Sequence, residues 1–103
     1  TAHGMYKGEV KIRFDIIDAV ASKIPVPIVL HGGSGVPDDM IREGVGKINV
    51  NTENQIACTN KIRELLGKDA KLYDPRKYLG PAREAMKQVV REKIRLFGSN
   101  NQA

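Results

Sequence analysis

The sequence contains few of the side chains on which several classes of protein depend. It has no tryptophan, three tyrosines and two phenylalanines, so few rings are available to stack on nucleobases. The single cysteine, Cys58, excludes an internal disulfide and a zinc site built from several thiolates, and we interpret it as a packing residue in a reducing compartment. No apolar run is long enough to span a membrane, and the first residues lack the pattern of a signal peptide. We therefore expect a cytoplasmic protein that does not contact membranes.

Basic residues outnumber acidic ones. Seventeen lysines and arginines against 12 aspartates and glutamates give a net charge of +5, which suits an anionic partner such as a nucleic acid or a small phosphorylated compound. The densest basic segment is 81–98, although lysines and arginines on a helix usually only face solvent. A nucleic-acid-binding fragment, whose affinity would fall steeply with salt, is one alternative. It is disfavoured because no base-reading motif is present, and we expect no nucleic-acid partner.

Two short apolar runs predict buried strands. They are VPIVLHG, around residues 28–30, and KINVN, around residues 48–50. Neither run alternates between apolar and polar residues, which is typical of a parallel sheet covered on both faces. Helical patterns occur in segments 14–24, 52–67 and 80–97, the last two stopped by Gly67 and Gly98 and the last preceded by an extended segment, 71–79. This alternation predicts an α/β protein, but two or three strands cannot cover these helices, so the chain looks like a piece of a larger domain.

Only a short segment connects the two predicted strands. After a loop and a helix start at residues 37–39, about two helical turns remain before the second strand. A parallel crossover usually takes a dozen or more residues with a full helix, so the 38–47 region is near the lower limit. Either its helix is degenerate, or residues are absent from the sequence.

Both histidines are followed directly by glycine. His31 ends the first predicted strand and His3 lies in TAHGMYKG, and an imidazole at such a loop can bind a divalent metal or simply hydrogen-bond to the backbone. The HGGSG turn that begins at His31 can bring backbone N–H groups close to an anion, though such turns are more often only turns. Lys7 could bind an oxyanion or remain a surface lysine.

Polar residues also follow the second predicted strand. Asn49 and Asn51 alternate there, so their amides are expected to point to the same side and could hold substrate oxygens. Thr52 stands just before a helical pattern, so helix capping is the alternative explanation.

Four motifs span nearly the whole chain, in the order TAHGMYKGE, LHGGSGVPDD, KINVNTENQIA and YDPRKYLGPAREAM. They resemble those of class II, metal-dependent fructose-1,6-bisphosphate aldolases and of the related tagatose-bisphosphate aldolases. The resemblance implies that residues 1–103 are the C-terminal portion of one (β/α)8 TIM-barrel domain. That portion contains the end of strand six, strands seven and eight, and the C-terminal helices.

The resemblance also assigns roles to individual residues. His3 and His31 match two ligands of one catalytic zinc per subunit, and a third histidine ligand would lie earlier in the barrel. A monovalent cation, Na⁺ or K⁺, often lies nearby. Asn49 matches the catalytic amide that contacts the enediolate of dihydroxyacetone phosphate. The positions that match phosphate contacts of that substrate are Gly4, Lys7, Gly32, Gly33, Ser34, Asn51 and Thr52.

Arg76 matches an arginine that reaches the neighbouring subunit's active site and binds the far phosphate of the bisphosphate. This role implies a homodimer or tetramer. The activity implied is the reversible cleavage of fructose 1,6-bisphosphate to dihydroxyacetone phosphate and glyceraldehyde 3-phosphate in glycolysis. Tagatose 1,6-bisphosphate is the alternative substrate, and the form of the segment that contains Arg76 favours fructose.

Some parts of the family's pattern are missing from this chain. Its catalytic acidic residues and third zinc ligand have no counterpart here, and a catalytic zinc normally has three protein ligands. The crossover is shorter than the family's, and because the flanking motifs are intact we favour absent residues over a deletion. We expect the 103-residue segment alone to be neither folded nor active, and an inactive fragment that keeps only a phosphate site is a further alternative.

Overall fold

The computed structural model describes residues 13–32 and 46–102. The described ranges contain three helices and two strands, which are α1 (Phe14–Ala21), β1 (Val29–Leu30), β2 (Lys47–Ile48), α2 (Thr52–Lys68) and α3 (Pro75–Leu96). They divide into two compact units between Thr52 and Glu53, and each unit is described by itself. No helix in the described ranges is both long enough and apolar enough to cross a membrane.

The two strands pair in parallel, as the sequence predicts. Val29 lies opposite Lys47 and Leu30 opposite Ile48. One hydrogen bond extends the ladder at each end: the Gly46 N–H donates to the Ile28 carbonyl and the Asn49 N–H donates to the Leu30 carbonyl, both at 3.0 Å. The next facing positions along the two chains are therefore His31 and Asn49.

The α1 helix is shorter than its apolar pattern predicts. It ends at Ala21, and the Ser22 hydroxyl donates to the Ala19 carbonyl at 3.0 Å. Pro25 follows closely, and the residue before a proline is biased away from helical geometry. No residue of α1 is buried.

The start of α3 corrects the prediction of an extended segment over 71–79. The helix begins at Pro75, and the Asp74 side chain caps it by accepting a hydrogen bond from the Arg76 N–H at 3.0 Å. An aspartate cap followed by proline at the first helical position is a strong start signal, because proline lacks the N–H that would go unpaired there. Pro81, which the predicted segment 80–97 places near the first turn, therefore lies inside the helix.

The two predicted helix stops have different outcomes. Gly98 ends α3 as predicted: its φ is +67°, and the Ser99 and Gly98 N–H groups donate to the Ile94 and Arg95 carbonyls. This is a Schellman arrangement, which favours glycine at the left-handed position. Gly67 is not a stop, because α2 continues through it to Lys68.

In the second unit, an ion pair joins α2 to α3. Glu53, in the first turn of α2, lies 2.8 Å from the Nζ of Lys93, in the last turn of α3, and both side chains are largely shielded from solvent. The ion pair thus joins the first turn of α2 to the last turn of α3. Ala82 of α3 is the one fully buried residue in the described ranges.

Candidate active site

His31 and Asn49 come together at the ends of the paired strands. The register of β1 and β2 brings them to facing positions, and the Asn49 Nδ2 atom lies 2.9 Å from His31 Nδ1. The direction of this hydrogen bond depends on the tautomer of His31 and on which atom of the Asn49 amide faces the ring. In the tautomer with the proton on Nδ1, that nitrogen donates to the amide oxygen, and Nε2 keeps a lone pair that can bind a metal.

The backbone turns sharply immediately after His31. Gly32 has a φ of +72°, in the left-handed region, which costs a residue with a Cβ about 1–2 kcal/mol. This explains why glycine follows the histidine directly. The predicted phosphate contacts at Gly33 and Ser34 lie outside the described residues.

The α2 helix begins directly after the second strand's polar segment. Thr52 is the first helical residue, so the capping position falls on Asn51, one residue earlier than the capping alternative for Thr52 assumes. The N-terminus of a helix presents unpaired N–H groups, which favour an anion. Asn51 is exposed and Asn49 is half-buried. A common direction of their side chains stays a prediction.

Arg76, in the second unit, is held by the residue that caps its own helix. Its Nε donates to Asp74 Oδ1 at 3.0 Å and its Nη2 donates to Asp74 Oδ2 at 2.9 Å. The guanidinium and the Arg76 backbone N–H both lower the pKa of Asp74, while the carboxylate raises the pKa of Arg76. The Arg76 side chain is 90% exposed, whereas that of Asp74 is 21% exposed.

Several predicted site residues cannot be placed. His3, Gly4 and Lys7 lie outside the described residues, as do Gly33 and Ser34. Across residues 13–32 and 46–102, no cluster of three or more histidine, cysteine, aspartate or glutamate side chains could hold a metal. The described part of the chain therefore contains one candidate ligand, His31, beside one candidate substrate contact, Asn49.

Two further residues were not singled out from the sequence. Asp74 could have been found from the Asp-Pro pair in YDPRK, which is a helix-start signal that places a carboxylate two residues before Arg76. Asn54, in the first turn of α2, has a buried Oδ1 without a hydrogen-bond partner in the described part of the chain. No sequence pattern indicates that feature.

Comparison with known proteins identifies a consistent set of relatives. The family model for "Fructose-bisphosphate aldolase class-II" matches residues 1–102. Fructose-bisphosphate aldolases of Staphylococcus epidermidis and Geobacillus stearothermophilus are 51% and 50% identical over 107 residues, covering 100% of this chain and 37% of each relative. The crystal structure of the YdjI aldolase of Escherichia coli K12 superposes with a TM-score of 0.78 at 33% identity, over 87% of this chain and 34% of that one. The chain thus spans little more than a third of the length of these relatives.

Proposed function

The chain belongs to the class-II fructose-bisphosphate aldolase family, and on that basis we propose that it supplies the C-terminal third of an enzyme that reversibly cleaves fructose 1,6-bisphosphate. The products would be dihydroxyacetone phosphate and glyceraldehyde 3-phosphate. The observation that carries the proposal is the contact between His31 and Asn49. It joins the side chain we assign to the metal and the side chain we assign to the substrate, at the carboxyl ends of adjacent parallel strands, where α/β barrels place their active sites.

The family is generally metal-dependent, and the described residues suit one position in a metal site. We assign Nε2 of His31 as a zinc ligand, in the tautomer with the proton on Nδ1, and His3 as a second ligand, with the third outside this chain. Bound zinc, one per subunit, would act as a Lewis acid toward the substrate's carbonyl and hydroxyl oxygens. A Na⁺ or K⁺ ion near the phosphate is part of the same proposal.

The Asn49 amide can contact both His31 and the substrate. In the tautomer that leaves His31 Nε2 for a metal, the amide oxygen accepts from Nδ1–H and the amide N–H groups stay available. They can donate to the substrate oxygen that gains negative charge as the carbon–carbon bond breaks. Since the contact with His31 holds the amide before substrate arrives, little reorganisation is needed during the reaction.

The remaining residues are assigned to the two phosphates. The left-handed turn at Gly32 supports the proposal that backbone N–H groups of this loop hold the phosphate of the three-carbon product. The other residues assigned to that phosphate are Gly4, Lys7, Gly33, Ser34, Asn51 and Thr52. Arg76 is assigned to the far phosphate in the neighbouring subunit of a cytoplasmic homodimer or tetramer, and its 90% exposure leaves it accessible for that role.

The first test is the intact mass of the protein as expressed from its complete gene, with zinc quantified on the same sample. We expect a mass about three times the 11.4 kDa of this chain, because the chain covers 37% of its relatives, and about one zinc per subunit. Cleavage of fructose 1,6-bisphosphate should be faster than that of tagatose 1,6-bisphosphate and should stop when a chelator removes the metal. A mass of 11.4 kDa without zinc would contradict the enzymatic proposal, leaving an inactive fragment.

A further inference from the structure

Asp74 and Arg76 form a forked contact around Pro75. Two parallel hydrogen bonds, of 3.0 and 2.9 Å, join the Nε and Nη2 atoms of the guanidinium to the two carboxylate oxygens. The carboxylate is itself fixed, because Asp74 Oδ1 also accepts from the Arg76 backbone N–H at 3.0 Å and so caps α3. The fork is therefore anchored to the first turn of a helix.

The fork leaves donors of Arg76 available. A guanidinium has five N–H groups, and the two hydrogen bonds to Asp74 use the Nε–H and one on Nη2. The second Nη2 proton and both Nη1 protons lie at the outer edge of the group, and such an edge can bind a phosphate through two parallel hydrogen bonds. Asp74 can thus hold the guanidinium plane without occupying the edge that would meet the ligand.

Arg76 needs such support because the described residues offer it little other packing. Its side chain is 90% exposed, and a free arginine of this kind samples many rotamers. Fixing the side chain before binding lowers the entropy that a ligand must otherwise overcome. Asp74, at 21% exposure, is the more shielded and better fixed partner.

We infer that Asp74 is a positioning residue that orients Arg76 toward the far phosphate of the ketose bisphosphate. The inference rests on the proposed function, in which Arg76 binds that phosphate, and it deepens it by naming the residue that sets the arginine's direction. Asp74 does not touch the substrate. Its effect belongs to binding of the bisphosphate and not to the chemistry at the three-carbon half.

The test uses the protein expressed from its complete gene and three substitutions. Arg76→Ala removes the proposed phosphate contact. Asp74→Asn removes the carboxylate charge and the fork but keeps a side-chain oxygen to cap α3, since asparagine caps helices about as well as aspartate. Asp15→Asn is the matched control, because Arg13 and Asp15 form the same kind of fork at the start of α1, with bonds of 2.8 and 2.6 Å.

Two readouts separate the far phosphate from the rest of the site. The first is the KM and kcat for cleavage of fructose 1,6-bisphosphate. The second is the enzyme-catalysed exchange of a carbon-bound proton of dihydroxyacetone phosphate with deuterium oxide, followed by NMR, which involves no far phosphate. Arg76→Ala should raise KM about tenfold or more, as expected for loss of a charged hydrogen bond. Asp74→Asn should raise KM about two- to fivefold, which corresponds to the interaction energy of an exposed ion pair.

In Arg76→Ala and Asp74→Asn, the rate of proton exchange and the melting temperature should stay unchanged. In Asp15→Asn, KM and kcat should also stay unchanged. If Arg76→Ala raises KM but Asp74→Asn does not, the positioning role is wrong while the proposed function stands. A lower KM in Asp74→Asn would show that the carboxylate competes with the phosphate, and it would also overturn the inference. If Arg76→Ala leaves KM unchanged, the proposed role of Arg76 fails and the inference fails with it.

Discussion

At the scale of single residues, the contact between His31 and Asn49 depends on two adjacent side chains in a parallel ladder. Each follows a strand by one residue, and the 2.9 Å distance follows from the register of Leu30 against Ile48. The contact holds the imidazole and the amide in a defined mutual orientation. We therefore expect loss of Asn49 to affect the binding of both the metal and the substrate.

Replacement of Asn49 by alanine should lower kcat for cleavage by about 10²- to 10³-fold, the effect of removing one preorganised donor to a developing oxyanion. The rate would be measured at saturating fructose 1,6-bisphosphate with zinc content determined for each preparation. Asn60→Ala is the control, because Asn60 is exposed on α2 and its contact with Arg63 is long, at 3.4 Å. A kcat that changes equally in both variants would contradict the role of Asn49.

Glu64 is a second residue whose behaviour is fixed by its immediate neighbours. Lys68 lies 2.8 Å from one carboxylate oxygen and Lys61 lies 3.0 Å from the other. These lysines, Lys68 foremost, lower the pKa of Glu64 from 4.5 to about 2. Because the pKa is lowered on folding, the stabilisation is fully present above the ordinary value of 4.5 and is lost as the pH falls toward 2.

An NMR titration of the Glu64 carboxyl carbon tests this arrangement. In Lys68→Met the pKa of Glu64 should return most of the way toward 4.5, and in Lys61→Met it should rise less, because Lys68 is the larger cause. Salt at about 1 M should also raise the pKa of Glu64, since the group is exposed and its interactions are screened. A pKa near 4.5 in the unsubstituted protein would contradict the geometry.

At the scale of elements, the sequence predicted pairing better than boundaries. The unalternating apolar runs led correctly to two parallel strands, but the predicted burial is wrong within the described residues, where Val29 is 41% exposed. The predicted start of α3 was wrong because its apolar stripe begins only near residue 80, whereas the cap formed by Asp74 and Pro75 begins the helix earlier. Local hydrogen bonds that begin a helix leave no periodic signal.

The sequence also indicated part of the candidate site but not its side-chain contacts. Glycine directly after His31 suits a backbone that other residues rarely adopt, and Gly32 has a φ of +72°. The fork between Asp74 and Arg76 could not be derived, since it depends on rotamers around a proline and on no repeat in the sequence. Contacts of this kind require atomic positions.

The ion pair between α2 and α3 gives a prediction for element packing. Lys93 and Glu53 are 17% and 28% exposed, so Lys93→Met should lower the free energy of unfolding by about 1–2 kcal/mol, between the values for exposed and buried pairs. Urea unfolding of the protein from its complete gene, followed by circular dichroism, measures this. Lys87→Met is the control: Lys87 is 53% exposed and lies 3.7 Å from Glu84, so its loss should cost less than about 0.5 kcal/mol. Equal losses in the two variants would argue against a packing role for the Lys93 pair.

At the scale of the whole molecule, the described residues bury very little. Ala82 is the one fully buried side chain among them, while Val26, Ile16 and Leu79 are at least half exposed. A stable domain of about this size normally buries well over half of the surface of its unfolded chain. The described elements therefore need apolar partners beyond those they offer each other.

The 103-residue chain produced alone should not unfold cooperatively. Its helical circular dichroism signal should decline gradually with urea, and it should bind a hydrophobic dye, because apolar side chains remain accessible. The protein from the complete gene, measured in parallel, should show one sharp transition and little dye binding. A sharp transition for the 103-residue chain by itself would show that it is an independent domain.

The parallel register has a consequence for how this family can vary in length. Hydrogen bonds from Gly46 to Ile28 and from Asn49 to Leu30 fix which residues face each other, and a slip by one residue would turn Asn49 to the opposite side of the sheet. The number of residues between the strands plays no part in that alignment. The relatives align over 107 positions with the 103 residues here, so at least four positions have no counterpart in this chain. A change in the number of residues between Gly32 and Gly46 that preserves this register would therefore keep the imidazole and the amide in the same mutual position.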